Sequence, residues 1–99
     1  MELDYDSQAD AAFVYVDGPI PPGGVGFTEP LDQDRLLRYD PDGRLIAYEF
    51  LSVRRHGVKL DDLEHREELA HVFREAGFVE RNWSTPRGTP RMRRREATG

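Results

Sequence analysis

The apolar residues of the chain fall into short runs separated by turn residues, and the spacing within each run predicts a domain of mixed α and β elements. Ala11-Ala12-Phe13-Val14-Tyr15-Val16 is apolar or aromatic at every position and rich in β-formers, the pattern of a central strand with two buried faces. Ser7-Gln8-Ala9-Asp10 reads as the turn before it, and Leu3 to Asp6 as a short extended start. From Asp17 to Gly24, three prolines and three glycines predict a loop. Val25 to Glu29 predicts a further strand, stopped by Pro30.

The runs on either side of Asp40-Pro41-Asp42-Gly43 predict a β-hairpin. Proline presets the first central dihedral of a type I turn, Asp42 suits the second, and Gly43 supplies the positive φ that closes a bulged loop. Leu36 to Tyr39 and Leu45 to Val53 should then pair antiparallel. Counting outward from a three-residue loop sets Asp40 opposite Arg44 and Arg35 opposite Glu49, a cross-strand ion pair worth at most about 1 kcal/mol. After a polar link at Arg54-Arg55-His56-Gly57, Asp61 and Glu64 have the capping-box spacing of a helix start. Leu69, Val72, Phe73 and Ala76 follow at spacings of three and four, giving one apolar stripe. Gly77 and Phe78 match a Schellman stop whose apolar contact runs to Phe73. A helix over about 62–76 is therefore predicted, lying across the sheet; Phe78 to Trp83 adds a last edge strand or packs against the helix end.

The expected fold class is α+β: a small antiparallel β-sheet of four to five strands covered by one C-terminal amphipathic helix. It forms a single domain over residues 1–83, followed by a disordered basic tail over 84–99. Ninety-nine residues suffice for one domain, and 23 Leu, Ile, Val and Phe residues for a small core. Core packing alone rarely gives so short a chain more than a few kcal/mol, so self-association, most simply as a homodimer, is expected.

Candidate chemistry is sparse. The absence of cysteine excludes a disulfide framework, a thiolate nucleophile and a cysteine zinc site. Glu68-Leu69-Ala70-His71 has the spacing that puts two metal ligands on one helix face, with Glu64 and Glu67 one turn away. Glu-rich helices produce that spacing often, and a solvated face accounts for it. His65 and His71 fall on different faces, and His56 sits in a basic loop. Ser7, Ser52 and Ser84 stand in no nucleophile elbow, and Gly23-Gly24-Val25-Gly26 lacks the helix and lysine of a phosphate loop. Asp40 and Asp42 are committed to turn chemistry. No enzyme, catalytic residue, metal site or cofactor is expected. No run reaches the roughly 18 apolar residues of a membrane span, and the start Met1-Glu2-Leu3-Asp4 is acidic where a secretory signal is basic and then apolar. A cytoplasmic protein without membrane contact is the expectation.

The net charge of -5 hides an asymmetry. Pro86 to Gly99 carries Arg87, Arg91, Arg93, Arg94 and Arg95 against Glu96 alone, whereas the preceding residues carry nine basic and 18 acidic side chains. The five arginines are candidates for binding an anionic partner, and with Trp83 upstream they can hold nucleic acid weakly, without sequence readout. The acidic body repels the same phosphates, so nucleic acid is the second choice. A solvated tail that does nothing specific, or folds back on the acidic body, is the simpler reading. An acidic body with exposed aromatics suits a basic protein partner, since complementary charge speeds encounter and selects partners.

Tyr5-Asp6, then Ala9-Asp10-Ala11 running into a strand, then Asp40-Pro41-Asp42-Gly43-Arg44-Leu45-Ile46 and Glu49-Phe50-Leu51, resemble the domain of unknown function 2283 family of short bacterial proteins. The resemblance covers roughly Leu3 to Ser52, and Gly57-Val58-Lys59-Leu60-Asp61-Asp62-Leu63 is similar to members that append a C-terminal helix. Ala47 and Tyr48 stand where members usually show Gly and Ile, a difference of packing more than of chemistry. What the resemblance implies is a small antiparallel sheet with a helix, no established activity, and, by analogy, an antitoxin-like pairing with a small toxin-like protein. The expected function is thus non-enzymatic protein binding, in a homodimer or to such a partner, with nucleic-acid binding through the arginines as the alternative.

Overall fold

The computed structural model describes residues 1–81. Its strands are β1 (Glu2–Asp6), β2 (Ala11–Tyr15), β3 (Phe27–Pro30), β4 (Arg35–Tyr39) and β5 (Leu45–Leu51). They form one antiparallel sheet in the order β1-β2-β5-β4-β3. A turn of helix, α1 (Val53–His56), leads to β6 (Val58–Lys59), then to α2 (Arg66–Glu75) and β7 (Glu80–Arg81). β6 and β7 pair in parallel as a second, two-stranded sheet. The class is α+β with a five-stranded antiparallel sheet, and β2 lies inside it as its apolar run requires.

The hairpin turn forms as its residues dictate. The Gly43 amide bonds the Asp40 carbonyl at 2.9 Å, Gly43 takes φ 87°, and Asp40 Oδ1 accepts the amides of Asp42 and Arg44. Accepting the Arg44 amide, above all, lowers the Asp40 carboxyl below its ordinary pKa. The register beyond the turn corrects the sequence expectation. Tyr39 pairs with Leu45 but Arg38 with Ala47, a bulge at Ile46 that sets Arg35 opposite Phe50 and Leu36 opposite Glu49. A slip of one residue moves a side chain to the other face of the sheet. Arg35 is therefore no partner of Glu49. Arg38 takes that role at 2.8 Å.

Two element ends also move. β5 stops at Leu51 rather than Val53, because Ser52 turns into the left-handed region (φ 56°) and Val53 begins α1. α2 begins at Arg66, four residues after the position the capping-box spacing suggests, with His65 at its N-cap and no side-chain cap. The predicted cap Asp61 does not serve the helix start, and its neighbour Asp62 is held by Arg35, 27 residues away. The C-terminal end is the Schellman motif expected: Gly77 takes φ 86°, its amide bonds the Arg74 carbonyl, and the Phe78 amide bonds the Phe73 carbonyl at 2.9 Å. The Phe73 and Phe78 rings meet edge to face, 5.8 Å between centroids. β3 begins at Phe27 and includes Pro30, which is compatible with its edge position.

Pairing across the strands sorts the side chains into two faces. Leu3, Val14, Tyr48 and Leu37 share one row, and Tyr5, Ala12, Phe50 and Arg35 the next. Ala12, Val14, Tyr48 and Phe50 are buried in one cluster with Leu60, Leu69, Ala70, Phe73 and Phe78. Phe50 meets Phe73 edge to face at 5.0 Å. Among the described residues no helix is long and apolar enough to cross a membrane.

Candidate interaction surface

The residues that carry the family resemblance at the N-terminus have structural employment. Asp6 Oδ1 accepts the Gln8 and Ala9 amides and so holds the turn. Asp10, at φ 53°, accepts the Tyr5 hydroxyl at 2.8 Å and the amides of Arg54 and Arg55. Its carbonyl accepts the Val53 amide. One aspartate thus ties the β1–β2 turn to the start of α1, satisfying helix-end donors. Accepting the Arg54 amide, above all, lowers the Asp10 carboxyl, and donating to Asp10 raises the Tyr5 hydroxyl. The Arg54 guanidinium lies 4.6 Å from the Phe78 ring centroid and 5.4 Å from that of Tyr5.

Arg35 is the most enclosed charge described, at 5% exposure. Its Nε and Nη2 donate to Asp32 Oδ2, its Nη1 and Nη2 to the two oxygens of Asp62, and its Nη1 also to the Lys59 carbonyl. All five N–H donors of the guanidinium are engaged. A cleft of about 250 Å³ lies alongside, lined among others by Asp34, Phe50, Lys59 and Arg81. Arg35 has no donor to offer a ligand there, so it pins the β4 start to the chain before α2. Burial alone would lower the Arg35 pKa, but the bonds to Asp62 and Asp32 outweigh it and raise it. Burial alone would likewise raise the Asp32 carboxyl; Arg35 and the Asp34 amide overcome this and lower it. At Asp62 the Arg35 hydrogen bonds dominate and lower the carboxyl. No signal short of the correct register could have revealed this cluster.

The other face of the sheet has a different make-up. Its rows run Glu2, Tyr15, Ala47 and Arg38; Asp4, Phe13, Glu49 and Leu36; and Asp6, Ala11 and Leu51. Ala11 and Ala47 are buried, whereas Phe13, Tyr15, Leu36 and Leu51 are half-buried. The Arg38–Glu49 pair crosses this face, and the Arg38 guanidinium stands 5.8 Å from the Phe13 ring centroid. Pro19, Ile20 and Val25 of the Pro/Gly loop frame, with Phe13, Tyr15 and Arg38, a concavity of about 410 Å³. The loop is stitched to β4 by the Gly26 amide on the Tyr39 carbonyl. This surface joins an apolar centre to an acidic border at β1. Of the tyrosines, Tyr48 belongs to the core, where burial pushes its hydroxyl up to about 12, and Tyr15 to this surface. Tyr39 stacks on Phe27 and donates to Glu29.

Other candidates lie apart. Glu68 and His71 are exposed on α2, and His71 approaches Glu75 at 3.8 Å. His65 Nδ1 and the Tyr48 hydroxyl are 2.8 Å apart. Among the described residues no group of three or more His, Cys, Asp or Glu could hold a metal ion. Trp83, Ser84 and the five arginines, Arg87, Arg91, Arg93, Arg94 and Arg95, lie outside the described residues, as does all of 84–99. No family model matches the chain, and neither a curated protein nor a solved structure does.

Proposed function

We propose that the domain is a non-enzymatic, cytoplasmic protein-binding module. In this reading α2 is the cover of one sheet face, and the opposite face is the contact surface for a small basic, toxin-like protein or a second copy of the chain. The observation that carries it is the half-buried apolar centre formed by Phe13, Tyr15, Leu36 and Leu51, bordered by Glu2, Asp4 and Asp6. Aromatic anchors with a charged rim are the usual anatomy of a protein interface. The excess of 18 acidic over nine basic side chains before the arginine segment favours a basic partner over a second acidic copy. The likeness of Leu3 to Ser52 to the domain of unknown function 2283 family supports the same antitoxin-like role by analogy.

The test is affinity capture of the tagged full-length protein from its host, with and without nuclease, alongside the Phe13→Ser/Tyr15→Ser variant. A stoichiometric protein partner that survives nuclease and is lost in a variant that still melts cooperatively supports the reading. Recovery that vanishes with nuclease transfers it to nucleic acid and the arginines. A partner retained undiminished by the folded variant refutes this face as the contact.

A further inference from the structure

The two edges of the five-stranded sheet are unequal. The Val16 amide bonds the Ile46 carbonyl at 2.9 Å, which fixes the hydrogen-bond phase: even-numbered residues of β2 bond to β5, odd-numbered ones to β1. The β1 partners of Tyr15, Phe13 and Ala11 are Glu2, Asp4 and Asp6, so the backbone N–H and C=O groups of Leu3 and Tyr5 point to the open edge. Among the described residues none bonds to those groups. At the opposite edge the Leu31 amide bonds the Arg35 carbonyl, which leaves Thr28 and Pro30 outward, and proline has no N–H to give. β1 is thus the edge able to accept another strand. Carboxylates flank it on both sides. Glu2, Asp4 and Asp6 stand exposed on one face, about 7 Å apart. On the helix side, Glu67, Glu68 and His71 of α2 frame, with Met1 and Val72, a concavity of about 380 Å³ beside the start of β1.

We propose that β1 is the docking edge for an extended basic segment of the partner, added antiparallel as a further strand of the sheet. The basic character of the partner rests on the reading above; the edge adds the conformation and the side-chain pattern of the segment it offers. Partner residues opposite Leu3 and Tyr5 exchange main-chain bonds with them and share their face, the one on which Leu3 and Tyr5 pack against the core. The alternate residues lie opposite Glu2, Asp4 and Asp6, where cations are favoured. The segment thus carries arginine or lysine at every second position and small apolar residues between. A second copy of β1 does not fit. Pairing Leu3 with Tyr5 of another chain sets Asp4 opposite Asp4 and Glu2 opposite Asp6, carboxylate against carboxylate.

The probe is a blocked peptide of alternating arginine and valine, titrated into the full-length protein and followed by calorimetry and by amide exchange in NMR. The Leu3 and Tyr5 amides are expected to exchange at least about tenfold more slowly once the peptide is bound, and the Thr28 amide to stay as it was. N-methylation of the valines keeps the charge but removes the donors that face β1, and should weaken binding at least about tenfold. Glu2→Gln/Asp4→Asn should weaken it by about the same factor. Asp6 is left in place because it holds the β1–β2 turn. Three results overturn the proposal: the methylated peptide binding as tightly as its parent, bound peptide that leaves Leu3 and Tyr5 unprotected, or both amides equally protected before peptide is added, which means that the edge is already filled. The edge and the face fail separately. Peptide that ignores β1, with the partner still lost from the Phe13→Ser/Tyr15→Ser variant, removes the edge and keeps the face. Peptide that protects β1, with the partner retained by that folded variant, keeps the edge and removes the face.

Discussion

Arg35 and Arg38 are three residues apart on β4 and point to opposite faces of the sheet. Arg35 faces the core, is almost dry, and binds two carboxylates and a carbonyl through every donor it has. Arg38 faces the other way, keeps 27% of its side chain in solvent and pairs with Glu49. The face with Arg35 also holds Val14, Tyr48 and Phe50, clustered with Leu69 and Phe73 of α2. The face with Arg38 holds Phe13, Tyr15 and Leu51, half-buried, with no helical side chain clustered over them among the described residues. The two faces thus separate the packed core from a half-buried apolar surface.

Substitutions should reproduce that division in size. Phe73→Ala removes the ring packed against Phe50 and Phe78, and should cost about 3–5 kcal/mol in denaturant unfolding. Arg35→Met leaves Asp32 and Asp62 facing each other without a cation. Both carboxylates keep 44–45% of their side chains exposed, so the loss should be about 2–3 kcal/mol, below that of a fully enclosed pair. Gly77→Ala should cost about 1 kcal/mol, because the Schellman stop needs φ 86° there. Glu49→Gln should cost under about 1 kcal/mol, a shift of a few degrees at most in melting temperature. If Glu49→Gln proved as damaging as Arg35→Met, the contrast between the faces would collapse.

Acid should act on the same side of the comparison. Asp32 and Asp62 have folded-state pKa values below the ordinary 3.8. Their contribution is fully present above the unfolded value and is lost as pH falls through the folded one. Melting temperatures measured from pH 6 to pH 2 should therefore drop steeply at the acid end, and less steeply in Arg35→Met, where the cation that lowers both values is gone.

How much of this was legible in the sequence depended on whether a feature is local. The Asp40–Gly43 turn and the Gly77 stop declare themselves because each is closed by bonds spanning only a few residues. The bulge at Ile46 carries no turn residue, so counting outward from Gly43 put Arg35 opposite Glu49. The start of α2 was misplaced because the Asp61–Glu64 spacing is only local, whereas the segment before the helix is held by a distant contact, Asp62 on an arginine 27 positions earlier. The parallel pairing of β6 with β7 involves two residues on each side, too few for any periodicity to register. At the candidate surface, Phe13 and Tyr15 lie in a run apolar at every position, so alternation could not tell the core face from the opposite one.

The central pairing of β2 with β5 has a kinetic consequence. The β1–β2 and β4–β5 hairpins each close over a short turn, but Ala11 must find Leu51, and Tyr15 must find Ala47, across more than thirty residues. Local hairpins form in microseconds, whereas a seam that joins distant segments must first overcome the entropy of closing the intervening chain. The barrier to folding is therefore expected at the β2–β5 seam, with Val14 and Tyr48 more native-like in the transition state than Phe78. Lengthening the Pro/Gly loop after Tyr15 should leave stability almost unchanged, since doubling a flexible loop adds only about 0.6 kcal/mol. Its mark would appear in the folding rate, with unfolding nearly untouched.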